Sequence, residues 1–82
     1  MKIVKYSGKN CVRCKLLDKI LKHMNLEDAC ETIYMEDEGE QCFIDKGIMT
    51  LPTIIISKNN KDITLSGQIL PQDITDAIKE LE

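Results

Sequence analysis

The apolar positions of this chain change period several times, and each change marks an element. Ile3 to Tyr6 is a short run of β-branched and aromatic residues that reads as a strand. Ser7-Gly8-Lys9-Asn10 is a turn cluster, and Asn10 is a good N-cap, so a helix is expected from Cys11. Leu16, Leu17, Ile20, Leu21 and Met24 recur at helical spacing and give that helix one apolar stripe, with Asn25 closing it. Thr32-Ile33-Tyr34-Met35 reads as a second strand. The acidic run Glu36 to Glu40 reads as a solvated turn. A short helix follows through Phe43 and Ile44 to about Gly47, its early acids suiting the positive end of the helix dipole. Thr53 to Ser57 is a continuous apolar run, expected as a strand buried on both faces. Lys58-Asn59-Asn60 makes a hairpin loop, and Asp62 to Ser66 returns as a strand. Pro71 opens the last helix, with Ile74, Ala77, Ile78 and Leu81 as its buried stripe.

The order β-α-β-α-β-β-α predicts a right-handed parallel crossover followed by an antiparallel hairpin. The expected class is α/β: a four-stranded mixed sheet flanked by three helices. The 82 residues suffice for one domain, 1–82, and not for two. With no Trp, one Phe and two Tyr, the core must be mostly aliphatic.

Charge narrows the function. A net charge of −3 argues against a general nucleic-acid binder. The opening Met-Lys-Ile-Val-Lys-Tyr is too polar and short for a signal peptide. The apolar run Leu51 to Ile56 falls far short of the roughly 20 residues that span a bilayer. A soluble, cytoplasmic monomer without membrane contact is the expectation.

The chemistry lies in Cys11-Val12-Arg13-Cys14, at the start of a helix that directly follows a strand. The first N–H groups of a helix lack intrahelical partners, and the dipole is positive there. Both stabilise a thiolate at Cys11, and Lys9, Arg13 and Lys15 add positive charge. The pKa of Cys11 should therefore fall below the free value of about 8.5. Cys14, one turn further in, should be more buried and placed to resolve a mixed disulfide. A Cys-x-x-Cys pair near a βαβ pattern is a strong redox signal. Zinc is the alternative, but Cys30 and Cys42 have eleven residues between them and no close pairing, and His23 is the single imidazole. Cys30 and Cys42 are expected to be small buried hydrophobes. His23 is expected to be a surface partner of the helix C-terminus.

Thr50-Leu51-Pro52 is the second informative segment. Proline cannot donate to a ladder, so Pro52 belongs at the first position of the strand that follows. Together, Cys11-Val12-Arg13-Cys14, Thr50-Leu51-Pro52 and Ser66-Gly67 resemble the glutaredoxin family in order and spacing over essentially the whole chain. The subgroup most similar is that of the NrdH-type redoxins, glutaredoxin-like electron donors to ribonucleotide reductase. The likeness lies in a Cys-Val-x-Cys motif and a Ser-Gly segment ahead of a proline before the last helix. The resemblance implies a thioredoxin-like fold, a cis Pro52 beside the active disulfide and a Leu51 backbone that pairs with an extended substrate. It implies substrate contacts at Lys9, Arg13, Thr50, Leu51, Pro52, Ser66 and Gly67. It implies no metal or organic cofactor, a protein disulfide such as that of ribonucleotide reductase as target, and a flavoprotein disulfide reductase as reductant.

The chain departs from its models at three places. Leu65-Ser66-Gly67-Gln68-Ile69-Leu70-Pro71 is one residue longer than the subgroup's segment and lacks its Trp and Arg. Gln68 stands where glutathione-dependent glutaredoxins carry an acid, and the next acid is Asp73. Lys5 stands where thioredoxins carry a buried Asp. A glutathione-dependent glutaredoxin and a glutaredoxin-like iron–sulfur or metal-binding module remain the alternatives.

Overall fold

A computed structural model describes residues 1–82. Strand β1 (Lys2–Ser7) leads into helix α1 (Val12–His23), and a 3-10 turn at Glu27–Ala29 leads into β2 (Cys30–Tyr34). Two short helices follow, α2 (Met35–Glu38) and α3 (Glu40–Asp45). Strands β3 (Thr53–Lys58) and β4 (Lys61–Ser66) form a hairpin, and α4 (Pro71–Leu81) ends the chain. The sheet order is β2-β1-β3-β4, with β1 parallel to β2 and antiparallel to β3. This is the expected four-stranded mixed sheet, with one helix more than expected.

The extra helix comes from the acidic run. Met35 to Glu38 form one helical turn instead of an open turn, and Gly39, at φ +91°, separates it from α3. Only glycine takes that conformation readily. The hairpin loop carries Asn59 and Asn60 at φ +55° and +63°, the left-handed region in which Asn is the best-tolerated residue after glycine.

Alternation along β1 divides the core into two layers. Ile3 faces α1 and α4, where it packs with Leu17, Leu21, Ile54, Ile56 and Ile74. Tyr6 faces the other way, with Phe43 and Ile48, under α3. Its ring meets Phe43 edge-on at 5.4 Å between centroids. Of the predicted stripe of α4, Ile74, Ala77 and Leu81 are buried and Ile78 is partly buried. The stripe of α1 needs correction: Leu17 and Leu21 are buried, but Leu16 is half exposed. Leu16 lies one position off the 3.6-residue stripe that Leu17 and Leu21 define. Cys30 and Cys42 also differ from expectation. Both are only partly buried, because Cys30 opens edge strand β2 and Cys42 lies on α3, the more exposed layer.

Candidate redox site

Cys11 and Cys14 form a disulfide at the start of α1, with Cα atoms 5.2 Å apart. The helix begins at Val12, and Cys11 itself is the N-cap, in place of Asn10. The backbone of Cys11 is extended (φ −112°, ψ 114°), and its Sγ accepts the N–H of Cys14 at 3.2 Å. The sulfur thus takes the place of the usual Ser or Asp oxygen. A thiolate there is held by a helix N–H, and no acid in the first turn of α1 opposes it. Cys14 is 1% exposed, so Cys11 is the more accessible sulfur for an incoming disulfide.

The segments predicted to surround the pair converge on one end of the sheet. The Leu51–Pro52 peptide bond is cis. The carbonyl of Pro52 accepts the N–H of Gly67 at 3.0 Å, and Thr53 pairs with Ser66 across the hairpin. Thr53 Oγ1 donates to the carbonyl of Thr50 at 2.6 Å, which fixes the approach to the strand. Thr50, Leu51, Pro52, Ser66 and Gly67 therefore form one connected platform. Arg13 lies apart from that platform's hydrogen bonds, exposed on α1 at the head of a groove it shares with Gly67.

Lys9 makes contacts that its sequence position does not announce. Its ammonium donates to Asp37 at 2.8 Å and lies over the Tyr34 ring. The hydrogen bond it donates to the Asp37 carboxylate raises the Lys9 pKa above its ordinary value. The backbone N–H of Lys9 donates to both carboxylate oxygens of Glu36, at 3.0 and 3.2 Å. The acidic run thus holds the loop that precedes Cys11. Gly8 completes that loop: a Cβ there would lie 3.2 Å from Leu51 Cδ1 and 3.6 Å from Cys11 Cβ. Sequence reasoning missed Gly8, Glu36 and Asp37, because their partners lie tens of residues away along the chain.

Beneath the pair, Lys5 is buried and forms an ion pair with Asp18. Burial pushes the Lys5 ammonium below its ordinary pKa, with Cys30 and Glu27 pulling it back up. Asp18 borders two cavities. One, of about 260 Å³, is lined by Lys5, Glu27 and Cys30; the other, of about 330 Å³, reaches Cys14 between Gly8 and Lys15. Asp18 therefore stands on the Cys14 side of the disulfide, fixed by Lys5. Burial also pushes the Cys30 thiol up, against the pull of Lys5, so Cys30 is a poor nucleophile at neutral pH. No cluster of three or more His, Cys, Asp or Glu side chains is arranged to hold a metal ion.

Fold and site together define a thioredoxin-fold protein whose first helix opens on a Cys-x-x-Cys disulfide, with a cis-proline platform at the same end of the sheet. No protein-family model matches the chain. It is 27% identical over 82 residues to the SPbeta prophage-derived thioredoxin-like protein YosR of Bacillus subtilis (strain 168), covering 99% of each. Among solved structures it is similar to thioredoxin 1 of Thermosipho africanus TCF52B, with a TM-score of 0.69 and 21% identity over 98% of this chain and 92% of that one. It is also similar to the reduced Schistosoma mansoni thioredoxin pre-protein, with a TM-score of 0.70 and 23% identity over 98% of this chain and 77% of that one. The fold is thus that of thioredoxin. The relatives bear the thioredoxin name, and the narrower likeness to glutaredoxins rests on the motifs alone. No helix is long and apolar enough to cross a membrane.

Proposed function

We propose that this chain is a thiol–disulfide oxidoreductase that reduces disulfides in other proteins, with Cys11 as nucleophile and Cys14 as resolving thiol. The Cys11 thiolate attacks one sulfur of the target disulfide, and the other leaves as a thiolate. The Cys14 thiolate then attacks Cys11 and releases the second target thiol. Two electrons pass from the dithiol to the target, and Cys11–Cys14 is left oxidised. The capping hydrogen bond from Cys14 N–H to Cys11 Sγ carries this reading, because it favours the anionic sulfur at the more exposed position. Cys11→Ser should abolish reduction of an insulin disulfide, whereas Cys14→Ser should trap a stable mixed disulfide. Iodoacetamide labelling of Cys14 ahead of Cys11 at neutral pH would overturn the assignment.

The finer reading is an NrdH-type donor to a reductase such as ribonucleotide reductase, recharged by a flavoprotein disulfide reductase rather than by glutathione. One residue identity and two contacts support the second part. Gln68 is neutral where a carboxylate would hold glutathione's amino group. Asp73, the next acid, accepts the Leu70 N–H at 2.9 Å as a helix cap. Lys9, which would meet a glutathione carboxylate, is already paired with Asp37. The test is an NADPH-coupled assay run with each reducing system. Efficient turnover with glutathione and glutathione reductase, and none with thioredoxin reductase, would place the protein among glutathione-dependent enzymes.

A further inference from the structure

A groove of about 280 Å³ runs along the outer side of α1, between that helix and the Gly67–Leu70 connection into α4. Its floor is apolar. Leu16 on one wall and Leu70 on the other are 52% and 50% exposed, large apolar side chains left without partners. Single exposed leucines need no explanation. These two face one continuous slot, and Val12, 73% exposed, lies one turn before Leu16 on α1, next to Cys11. The charges on the slot are of one sign. Arg13 and Lys19 line it and no acid does, in a chain whose net charge is −3.

The groove begins at Arg13 and Gly67, beside the redox pair, and ends at His23. Ten residues of helix at 1.5 Å each give it a length of about 15 Å. That matches about four to five residues of extended chain at about 3.3 Å each. A polypeptide whose disulfide sulfur is engaged at Cys11 has its neighbouring residues within reach of this slot.

We infer that the groove between α1 and the β4–α4 connection docks the segment flanking the target cysteine, a segment that combines apolar residues with Asp or Glu. This rests on the proposed reductase activity and names the class of protein it serves. Apolar side chains of the partner cover Leu16 and Leu70, and its carboxylates meet Arg13 and Lys19. Opposite charge accelerates encounter and selects against basic segments.

Two disulfide-linked peptide dimers test this, each with one cysteine per strand. One has Leu, Glu and Asp on both sides of the cysteine; the other has Lys at every acidic position. The reduced protein should reduce the acidic dimer about tenfold faster at low salt. Lys19→Glu and Leu16→Ser, made singly, should each shrink that ratio severalfold. Leu16 and Lys19 are exposed, so both variants should fold, and circular dichroism checks that they do. Equal rates for the two dimers, or a preference that survives both substitutions, would overturn the groove assignment. A dimer of the chain itself that Leu16→Ser dissociates would also overturn it, by naming a second copy as occupant. Reduction of neutral dithiodipyridine separates the two readings: failure there by the unmodified protein defeats the proposed activity rather than the groove.

Discussion

Lys5 shows how one residue changes a site. A lysine in a strand next to β-branched residues reads as a solvent-facing position, yet the alternation that buries Ile3 on the α1 face buries Lys5 as well. Asp18 makes this tolerable. Its side chain keeps 47% of its exposure while that of Lys5 keeps 4%, so the two substitutions should differ. Asp18→Ala strands a buried ammonium and should cost about 1–3 kcal/mol, less than the about 3–5 kcal/mol of a fully buried pair, because water can reach the vacated space. Lys5→Met leaves a carboxylate that water can solvate and should be neutral or stabilising. The pH dependence follows from the depressed lysine. The unfolded chain holds that proton up to about its ordinary 10.5, and the folded chain releases it earlier. Between the two values stability of the unmodified protein rises with pH, so the advantage of Lys5→Met should shrink as pH climbs from 7 toward 10.5. Urea titrations at three pH values would measure it. A constant difference would show that the fold does not depress the Lys5 pKa. At the same scale, Cys30→Ser with Cys42→Ser should keep most disulfide-reducing activity, since neither thiol is near the pair and Cys30 is held protonated. Loss of turnover at an unchanged Tm would contradict this.

Among the elements, the hairpin and the last helix were legible because their signals are local. Pro71 sits at the first turn, and the stripe Ile74, Ala77, Leu81 has a clean period. The hairpin loop hides a long-range contact: the Asn59 amide donates to the carbonyl of Leu81 at 3.1 Å and so caps α4 from the far side of the chain. Asn59→Ala should cost about 1–2 kcal/mol, combining that lost bond with a left-handed backbone that Ala resists. Asn60→Gly should gain up to about 1 kcal/mol, because glycine suits its φ of +63° and Asn-Gly is the preferred loop pair. Thermal melts of the two variants should move in opposite directions. Helix α2 was not legible. Four residues cannot show a helical period, and acids in series read as a solvated turn. Its purpose emerges only when Glu36 and Asp37 meet the Lys9 loop across the fold.

At the scale of the whole molecule, the mixed sheet and its helix layers followed from element order alone, and the details at the disulfide did not. The convergence of Pro52 with Gly67 depends on pairings that no local pattern encodes. The edges are protected by charge: β2 carries Glu31, and β4 begins with Lys61 and Asp62. The Cα radius of gyration of 12.0 Å matches the about 12 Å of a compact domain of this length.

The place of β1 at the centre of the sheet also governs how the chain assembles. Its two neighbours lie at very different distances along the chain, β2 close by and β3 beyond a long intervening segment, with Lys2 opposite Ser57. A stretch emerging from the ribosome can form the β1-α1-β2 unit, but it cannot cover the other edge of β1 until residues past 58 exist. The hairpin of β3 and β4 is local and can form first, leaving its docking on β1 as the slow, loop-closing event. Asn60→Gly should then raise the refolding rate in stopped-flow chevrons and leave unfolding nearly unchanged. A gain that falls wholly on the unfolding arm would mean that the hairpin closes after the barrier.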